Sequence, residues 1–150
     1  MPADTDLIKL YSTRILALAA DIPHTDRLTD AHATIKKRSP LCGSAVTVDV
    51  RVEDGRIAAY GQDVKACALG QAAAAVTGHA IIGRTLAEVQ TARDELRDML
   101  KSQGDVPAAP FDGFEVLEPA RDFKNRHASI LLAIEATAEA MEQALQSDCA

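Results

Sequence analysis

A strongly alternating segment at residues 45–52 limits what this chain can fold into. Every second position in it carries a valine, namely Val46, Val48, Val50 and Val52. A period of two is typical of a β-strand, and it places the valines on one face while Thr47, Asp49 and Arg51 take the other. The dipeptide Asp54-Gly55 follows, and both residues can adopt the positive φ of a two-residue turn. The pattern therefore predicts an antiparallel hairpin with residues 56–64 as its second strand.

Patterns on either side of this hairpin predict an α+β domain. Residues 31–38 are expected to add a strand, which gives a three-stranded antiparallel sheet at about 31–64 with one apolar face. Apolar residues at helical spacing predict an N-terminal helix at about 6–20 and further helices within about 68–145. Helices packed on one face of an antiparallel sheet then define the fold class.

Sequence signals also predict where the later helices begin and end. An alanine-rich helix is expected at 68–81, and a capping box at 85–88 opens another that runs to about residue 103. A loop rich in proline and glycine is expected at 104–113. The last helix is expected to begin between 119 and 126.

Size and composition restrict the class of protein. The chain has 150 residues, of which 47% are apolar and 25% charged, and this favours one globular domain over 1–150. The net charge of −6 and the aromatic content of 3% argue against nucleic-acid binding, which uses basic surfaces and stacked aromatic rings. The acidic start and the short apolar run at 15–20 fit neither a secretory signal nor a membrane span. We therefore expect a cytoplasmic protein that binds neither nucleic acid nor membrane.

Two of the three cysteines stand where strands meet loops. Cys42 lies in the loop just before the valine-rich strand, and Cys67 lies where the third strand ends and the alanine-rich helix begins. An antiparallel hairpin brings these two strand ends together, so we expect both thiols at one end of the sheet. A helix N-terminus and the nearby Lys65 favour a thiolate at Cys67. Cys149, close to the last residue of the sequence, is assigned no role.

His127 is a third candidate ligand, because it stands near the start of the last predicted helix. Thiolate and imidazole together suit zinc and iron–sulfur centres. Packing is the competing interpretation, since cysteine is among the most buried residue types and a single histidine is commonly a surface residue. The residues alone leave both interpretations open.

The order of these features resembles the IscU/SufU/NifU N-terminal family of iron–sulfur cluster assembly scaffold proteins. The residues that carry the resemblance are Cys42-Gly43, the valine-rich strand, Asp54-Gly55-Arg56-Ile57, Cys67 and the helix of small residues after it. Residues 126–131 are similar to the family's last motif, and the resemblance extends from about residue 7 to about residue 145. It implies the IscU/NifU-N-like fold, a three-stranded antiparallel sheet with helices on one face.

The resemblance also implies a site built from three cysteines and an aspartate around one metal ion or cluster. By position, Cys42 and Cys67 are the first two ligands, and Ser44 stands in the place of the aspartate. His127 stands in the place of the third cysteine, although a slipped alignment would put Ser129 there instead. The implied cofactor is a transient iron–sulfur cluster or zinc, held by the two cysteines and His127, with Ser44 beside it.

The implied function is that of a scaffold rather than an enzyme. Such a protein receives iron and sulfur and passes the assembled cluster to acceptor apo-proteins. A cysteine desulfurase is the implied sulfur donor, and a homodimer is compatible with the resemblance. Two alternatives stay open, namely a zinc-dependent SufU-like protein that relays sulfur from the desulfurase, and a degenerate interaction module that binds no metal.

Overall fold

The predicted hairpin is present at the centre of the fold. In the computed structural model, which describes residues 12–40 and 43–148, strand β1 spans Ala33–Arg38, β2 spans Ala45–Glu53 and β3 spans Arg56–Lys65. The strands pair in the order β1-β2-β3, each antiparallel to the next. Asp54 and Gly55 have φ values of 54° and 75°, which a two-residue hairpin turn requires. The predicted three-stranded antiparallel sheet is therefore confirmed.

The helices pack on one face of this sheet, as predicted. Helix α1 spans Thr13–Ala19, α2 spans Ala68–Ala80, α3 spans Leu86–Lys101 and α4 spans Lys124–Asp148. Helix α4 lies across β1 and β2, α2 and α3 pack on α4, and α1 packs on α2. The first helix, expected at about 6–20, is described only from Thr13, because residues 1–11 lie outside the described part of the chain. None of the described helices is both long and apolar enough to cross a membrane.

The valine face of β2 meets α4. The buried residues of this contact are Val46, Val48, Val50 and Val52 on the strand and Ile130, Ile134 and Met141 on the helix. Tyr60 of β3 pairs with Val50, and its hydroxyl lies 2.8 Å from the hydroxyl of Thr137 on α4. Burial of these apolar side chains from both layers stabilises the contact.

The opposite face of the sheet differs from the expectation at Asp49. Alternation placed Asp49 on the polar face, yet its side chain is fully buried. Residues 26–28 cover it. Gly61 of β3 is the strand partner of Asp49. A Cβ atom added to it would lie 2.8 Å from the carbonyl oxygen of Asp26 and 3.1 Å from the amide nitrogen of Leu28. The absence of a side chain at residue 61 therefore lets this segment lie directly against the sheet.

The largest departure from the sequence prediction lies between α3 and α4. Helix α3 ends at Lys101 rather than at about residue 103. A 3-10 helical segment spans Asp112–Asp122, where the sequence predicted the end of a loop and the residues just before the last helix. Phe111, Phe114 and Leu117 are buried, and their spacing of three matches the period of a 3-10 helix. These apolar side chains hold the segment against α2, α3 and α4.

Candidate functional site

The thiol of Cys67 marks the candidate site at one end of the sheet. Cys67 follows β3 closely and is the N-cap residue of α2, with φ −67° and ψ 171°. Its carbonyl oxygen accepts a hydrogen bond from the amide of Gln71 at 2.9 Å, which begins the helix. Its side chain makes no capping hydrogen bond and carries a free, partly buried thiol. The sequence prediction of a cysteine at this strand–helix junction is confirmed.

Two buried serine side chains lie in a row with this thiol. The Sγ atom of Cys67 lies 3.5 Å from the Oγ atom of Ser129, and that oxygen lies 3.1 Å from the Oγ atom of Ser44. Ser44 is 3% exposed and Ser129 is 1% exposed. Both separations are within hydrogen-bond range for these atom types. The three residues come from three elements, since Ser44 precedes β2, Cys67 begins α2 and Ser129 lies in α4.

Strand register explains why these residues meet. Ala45, the first residue of β2, is the partner of Lys65, the last residue of β3. Ser44 precedes Ala45 and Cys67 follows Lys65 by two positions, so both lie at the same end of the hairpin. The sequence prediction of which strand ends come together is therefore confirmed.

Gly70 allows α4 to bring Ser129 close to this end. A Cβ added to Gly70 would lie 2.6 Å from the Oγ atom of Ser129 and 2.8 Å from the Cβ atom of Ala66. Real Cβ atoms essentially never approach so closely. The glycine in α2 therefore permits the short separation between α2 and α4 that the contact between Cys67 and Ser129 requires.

The loop before β2 is closed by its own backbone. The amide of Ser39 donates to the carbonyl oxygen of Ser44 at 2.8 Å, and the amide of Gly43 donates to the carbonyl oxygen of Ser39 at 3.0 Å. Gly43 has φ 71°, a left-handed conformation that glycine adopts at little cost. Cys42 lies in this loop but outside the described residues, so its predicted approach to Cys67 stays a prediction.

His127 lies elsewhere, on a different side of α4. Its Nε2 atom is 3.1 Å from the carbonyl oxygens of both Ala120 and Arg121, at the end of the 3-10 segment, and the residue is 4% exposed. Residues two positions apart in an α-helix differ by about 200° of rotation, so the side chains of His127 and Ser129 leave α4 in different directions. Ser129 contacts Cys67, whereas the hydrogen bonds described for His127 are with the 3-10 segment.

The contacts of His127 also fix its tautomer. Carbonyl oxygens only accept hydrogen bonds, so the Nε2 atom that faces two of them must carry the proton. The Nδ1 atom is then the only ring nitrogen through which a neutral His127 could bind a metal. His127 also lines a cavity of about 570 Å³ together with Lys101, Arg121 and Lys124, and neither Cys67 nor Ser129 lines it. The prediction of His127 as a ligand stays a prediction, and it now specifies Nδ1.

The polar groups at the site are one thiol, that of Cys67, and the hydroxyls of Ser44 and Ser129. Within residues 12–40 and 43–148, no group of three histidine, cysteine, aspartate or glutamate side chains is arranged to hold a metal ion. The thiol is a soft ligand that suits iron, zinc and iron–sulfur clusters, whereas serine hydroxyls serve better as hydrogen-bond partners. Sequence reasoning missed the contact of Ser129 with both Ser44 and Cys67, although the slipped alignment had pointed to this residue.

Comparison with known proteins identifies the family. Residues 10–118 match the family model described as the NifU-like N terminal domain. A nitrogen-fixing NifU-like protein (N-terminal) from Brucella abortus has a crystal structure that matches with a TM-score of 0.91 and 38% identity, covering 94% of this chain and 98% of that one. The chain therefore belongs to the family of NifU-like N-terminal domains, and the resemblance seen in the sequence is confirmed. No curated protein matches the chain.

More distant structures share the fold. One is a protein from Fervidobacterium islandicum described as an iron–sulfur cluster assembly scaffold for the SUF system, with a TM-score of 0.79 and 19% identity over 89% of this chain and 98% of that one. Another, described as a hypothetical protein, has a TM-score of 0.80 and 21% identity over 90% of this chain and 98% of that one. At this level of identity the likeness concerns the fold alone.

Proposed function

We propose that this protein is an iron–sulfur cluster assembly scaffold, acting by binding rather than by enzymatic turnover. It would bind iron, zinc or a transient cluster at the end of the sheet where Cys67 lies, and pass the cluster to acceptor apo-proteins. The observation that carries the proposal is the placement of this thiol at the start of α2, beside the start of β2, in a NifU-like N-terminal domain. The similarity to a protein described as nitrogen-fixing and NifU-like supports the same function.

The chemistry of the site depends on thiolates. Iron–sulfur clusters are held by cysteine thiolates, and the ligand form of cysteine is the deprotonated one. Cys67 supplies one such group, and we propose Cys42, in the loop closed by Ser39 and Ser44, as the second. Iron and sulfide are cargo here, and the proposed source of sulfur is a cysteine desulfurase. We propose His127, through Nδ1, as the third ligand, with the fourth position left to exogenous sulfur, water or Ser44.

One observation favours a second candidate function. Around Cys67 the described residues supply hydroxyl groups rather than a full set of metal ligands. A protein with this fold could therefore act as an interaction module that binds no metal. A zinc-dependent sulfur relay is a further alternative, because it needs a reactive thiol but does not accumulate a cluster.

Anaerobic reconstitution with Fe²⁺ and sulfide separates these functions. We expect the wild-type protein to gain visible absorption and to retain iron and acid-labile sulfide in proportion to protein. Cys67→Ser and Cys42→Ser should each lose most of both, whereas Cys149→Ser is the matched control and should keep them. His127→Ala should lose iron if Nδ1 is a ligand, and His127→Cys should retain it.

The other outcomes are also informative. A wild-type protein that retains neither iron nor zinc would support the interaction module and contradict the scaffold. Retention of zinc and stimulation of a desulfurase without cluster formation would support the sulfur relay. Full iron content in His127→Ala would remove His127 from the ligand set while leaving the scaffold function intact.

A further inference from the structure

We propose that the cavity between the end of α3 and the start of α4 is a binding site for a small anion that carries two or more negatively charged oxygens. The cavity has a volume of about 570 Å³, which lies within the usual range of small-molecule sites. Cys67 does not line it. The inference goes beyond the proposed scaffold function and does not depend on it.

The charges that line the cavity favour an anionic ligand. Lys101 is the last residue of α3, Lys124 is the first residue of α4, and Arg121 precedes α4 in the 3-10 segment. Asp122 is the one carboxylate on the described lining, so three cations against one anion leave a surplus of two positive charges. The net charge of the whole chain is −6, and a ligand with at least two negative charges would balance this local surplus.

The cationic groups of the cavity are of two kinds. Lys101 and Lys124 are exposed, and neither forms an ion pair with another described residue. Arg121 is held by the protein, because its Nε atom donates to the carbonyl oxygen of Met99 and its Nη2 atom to that of Gly104, both at 3.1 Å. Arg121 therefore fixes one positive charge at the cavity, and the two lysines supply ammonium donors that a ligand can reach.

The start of α4 lacks the groups that normally satisfy a helix N-terminus. Its first turn contains no acidic residue, but it does contain the cations Lys124 and Arg126. Phe123, directly before the helix, has no side-chain acceptor for the first amides. Cations are unfavourable beside the positive end of a helix, whereas anions are stabilised there. An anion bound in the cavity would offset this electrostatic conflict at the start of a 25-residue helix.

His127 contributes a nearly buried side chain to the lining of the cavity. It is 4% exposed, and its Nε2 atom faces the carbonyl oxygens of Ala120 and Arg121. Within the described part of the chain, its Nδ1 atom has no hydrogen-bond partner. An unpartnered polar atom on a buried side chain points to a bound water or ligand. In the metal-free protein, Nδ1 can accept a hydrogen bond from a hydroxyl of the bound anion.

Calorimetric titration of the metal-free full chain at constant ionic strength tests the site. The probes are citrate, which represents carboxylate ligands and carries a hydroxyl, and pyrophosphate, which represents phosphate ligands. We expect at least one probe to bind saturably at a single site per chain. Binding of citrate alone would assign a polycarboxylate ligand, and binding of pyrophosphate alone would assign a phosphate ligand. Absence of saturable binding by both probes would overturn the proposal.

Single-charge variants show whether binding occurs in this cavity. Lys101→Gln and Lys124→Gln should each weaken binding of the probe about tenfold, as loss of one hydrogen bond to a charged group predicts. The matched control is Lys36→Gln, because Lys36 is an exposed lysine of β1 that does not line the cavity. It makes the same change in net charge and should alter the affinity less than about twofold, since salt screens distant charges.

Equal weakening in all three variants would show that binding follows the overall charge of the chain, and it would overturn the proposal. The three lysines are exposed, so these substitutions should leave the fold intact. The titration uses no iron. A protein that assembles no cluster can still bind the anion, and a scaffold without the anion site can still assemble a cluster, so the two proposals fail separately.

Discussion

At the scale of single residues, Asp49 shows what a local pattern can and cannot reveal. Alternation along β2 predicted the valine face, and these valines are buried as expected. The same pattern made Asp49 a surface residue, whereas the structure buries it under residues 26–28. The partners that make this burial tolerable, Arg27 and Thr34, lie 22 and 15 residues away in sequence. The periodicity of a short segment cannot predict contacts between residues so far apart in the sequence.

The hydrogen bonds of Asp49 explain how an ionised carboxylate is stabilised in this buried position. Its Oδ2 atom accepts from Arg27 Nε at 2.6 Å and from the amide of Leu28 at 3.1 Å. Its Oδ1 atom accepts from Arg27 Nη2 at 3.0 Å and from Thr34 Oγ1 at 2.6 Å. Burial alone would raise the pKa of Asp49, but the hydrogen bonds from Arg27, Thr34 and Leu28 outweigh it and hold the pKa below its ordinary value.

The first prediction concerns the pH dependence of stability. A carboxylate whose pKa is lowered by folding contributes stability above its unfolded pKa of about 3.9 and loses it as the pH falls through the folded pKa. Asp49→Asn should therefore lower the free energy of unfolding by roughly 2–3 kcal/mol at pH 7. The deficit relative to wild type should narrow as the pH falls below about 4. Urea denaturation across this pH range measures it.

Asp63→Asn provides the control, because Asp63 is an exposed carboxylate on the neighbouring strand. It should change the free energy of unfolding by no more than about 0.5 kcal/mol. A deficit for Asp49→Asn that is the same at pH 3 and pH 7 would show that packing, rather than the charge, accounts for its effect.

At the scale of elements, helix starts were easier to predict than irregular segments. The capping box at Thr85 is present, with the amide of Thr85 donating to Glu88 Oε1 at 3.0 Å and the amide of Glu88 donating to Thr85 Oγ1 at 3.2 Å. Capping chemistry is contained within four consecutive residues, so the sequence alone can reveal it. The 3-10 segment at Asp112–Asp122 was missed, because proline and glycine signals concealed the three-residue spacing of its buried side chains.

A second prediction follows for the start of α3. Thr85→Ala removes the hydroxyl that accepts from the amide of Glu88, and it should lower the free energy of unfolding by about 1 kcal/mol. Thr85→Ser keeps the hydroxyl and should cost far less. Thr91→Ala, at an exposed position within the same helix, is the control for a threonine-to-alanine change without a cap. Equal losses in Thr85→Ala and Thr85→Ser would contradict the capping role.

The last helix shows why the site was predicted only in part. The sequence correctly placed α4 near its observed start at Lys124, and it correctly placed Cys67 at the start of α2. Which side chain of α4 contacts Cys67 depends on the rotation of the helix about its axis. Successive side chains of an α-helix differ in direction by about 100° around that axis. A slip of two residues in the alignment therefore exchanges His127 for Ser129, and the packing of α4 on α2 at Gly70 determines that Ser129 contacts Cys67.

At the scale of the whole molecule, the site lies where separate parts of the fold converge. The hairpin joins the start of β2 to the end of β3, and α4 closes that end through Ser129. The match to the NifU-like N terminal domain covers residues 10–118, which include the whole sheet and α2. That residues 1–150 form a single domain stays a prediction.

Protection of individual thiols by bound iron tests the proposed scaffold site most directly. The full chain is loaded anaerobically with Fe²⁺ and sulfide, alkylated, and digested, and mass spectrometry then reads the modification of each cysteine. We expect Cys67 and Cys42 to be protected in proportion to bound iron, while Cys149 is alkylated as fully as in the metal-free protein. Equal alkylation of Cys67 with and without bound iron would contradict the proposed site.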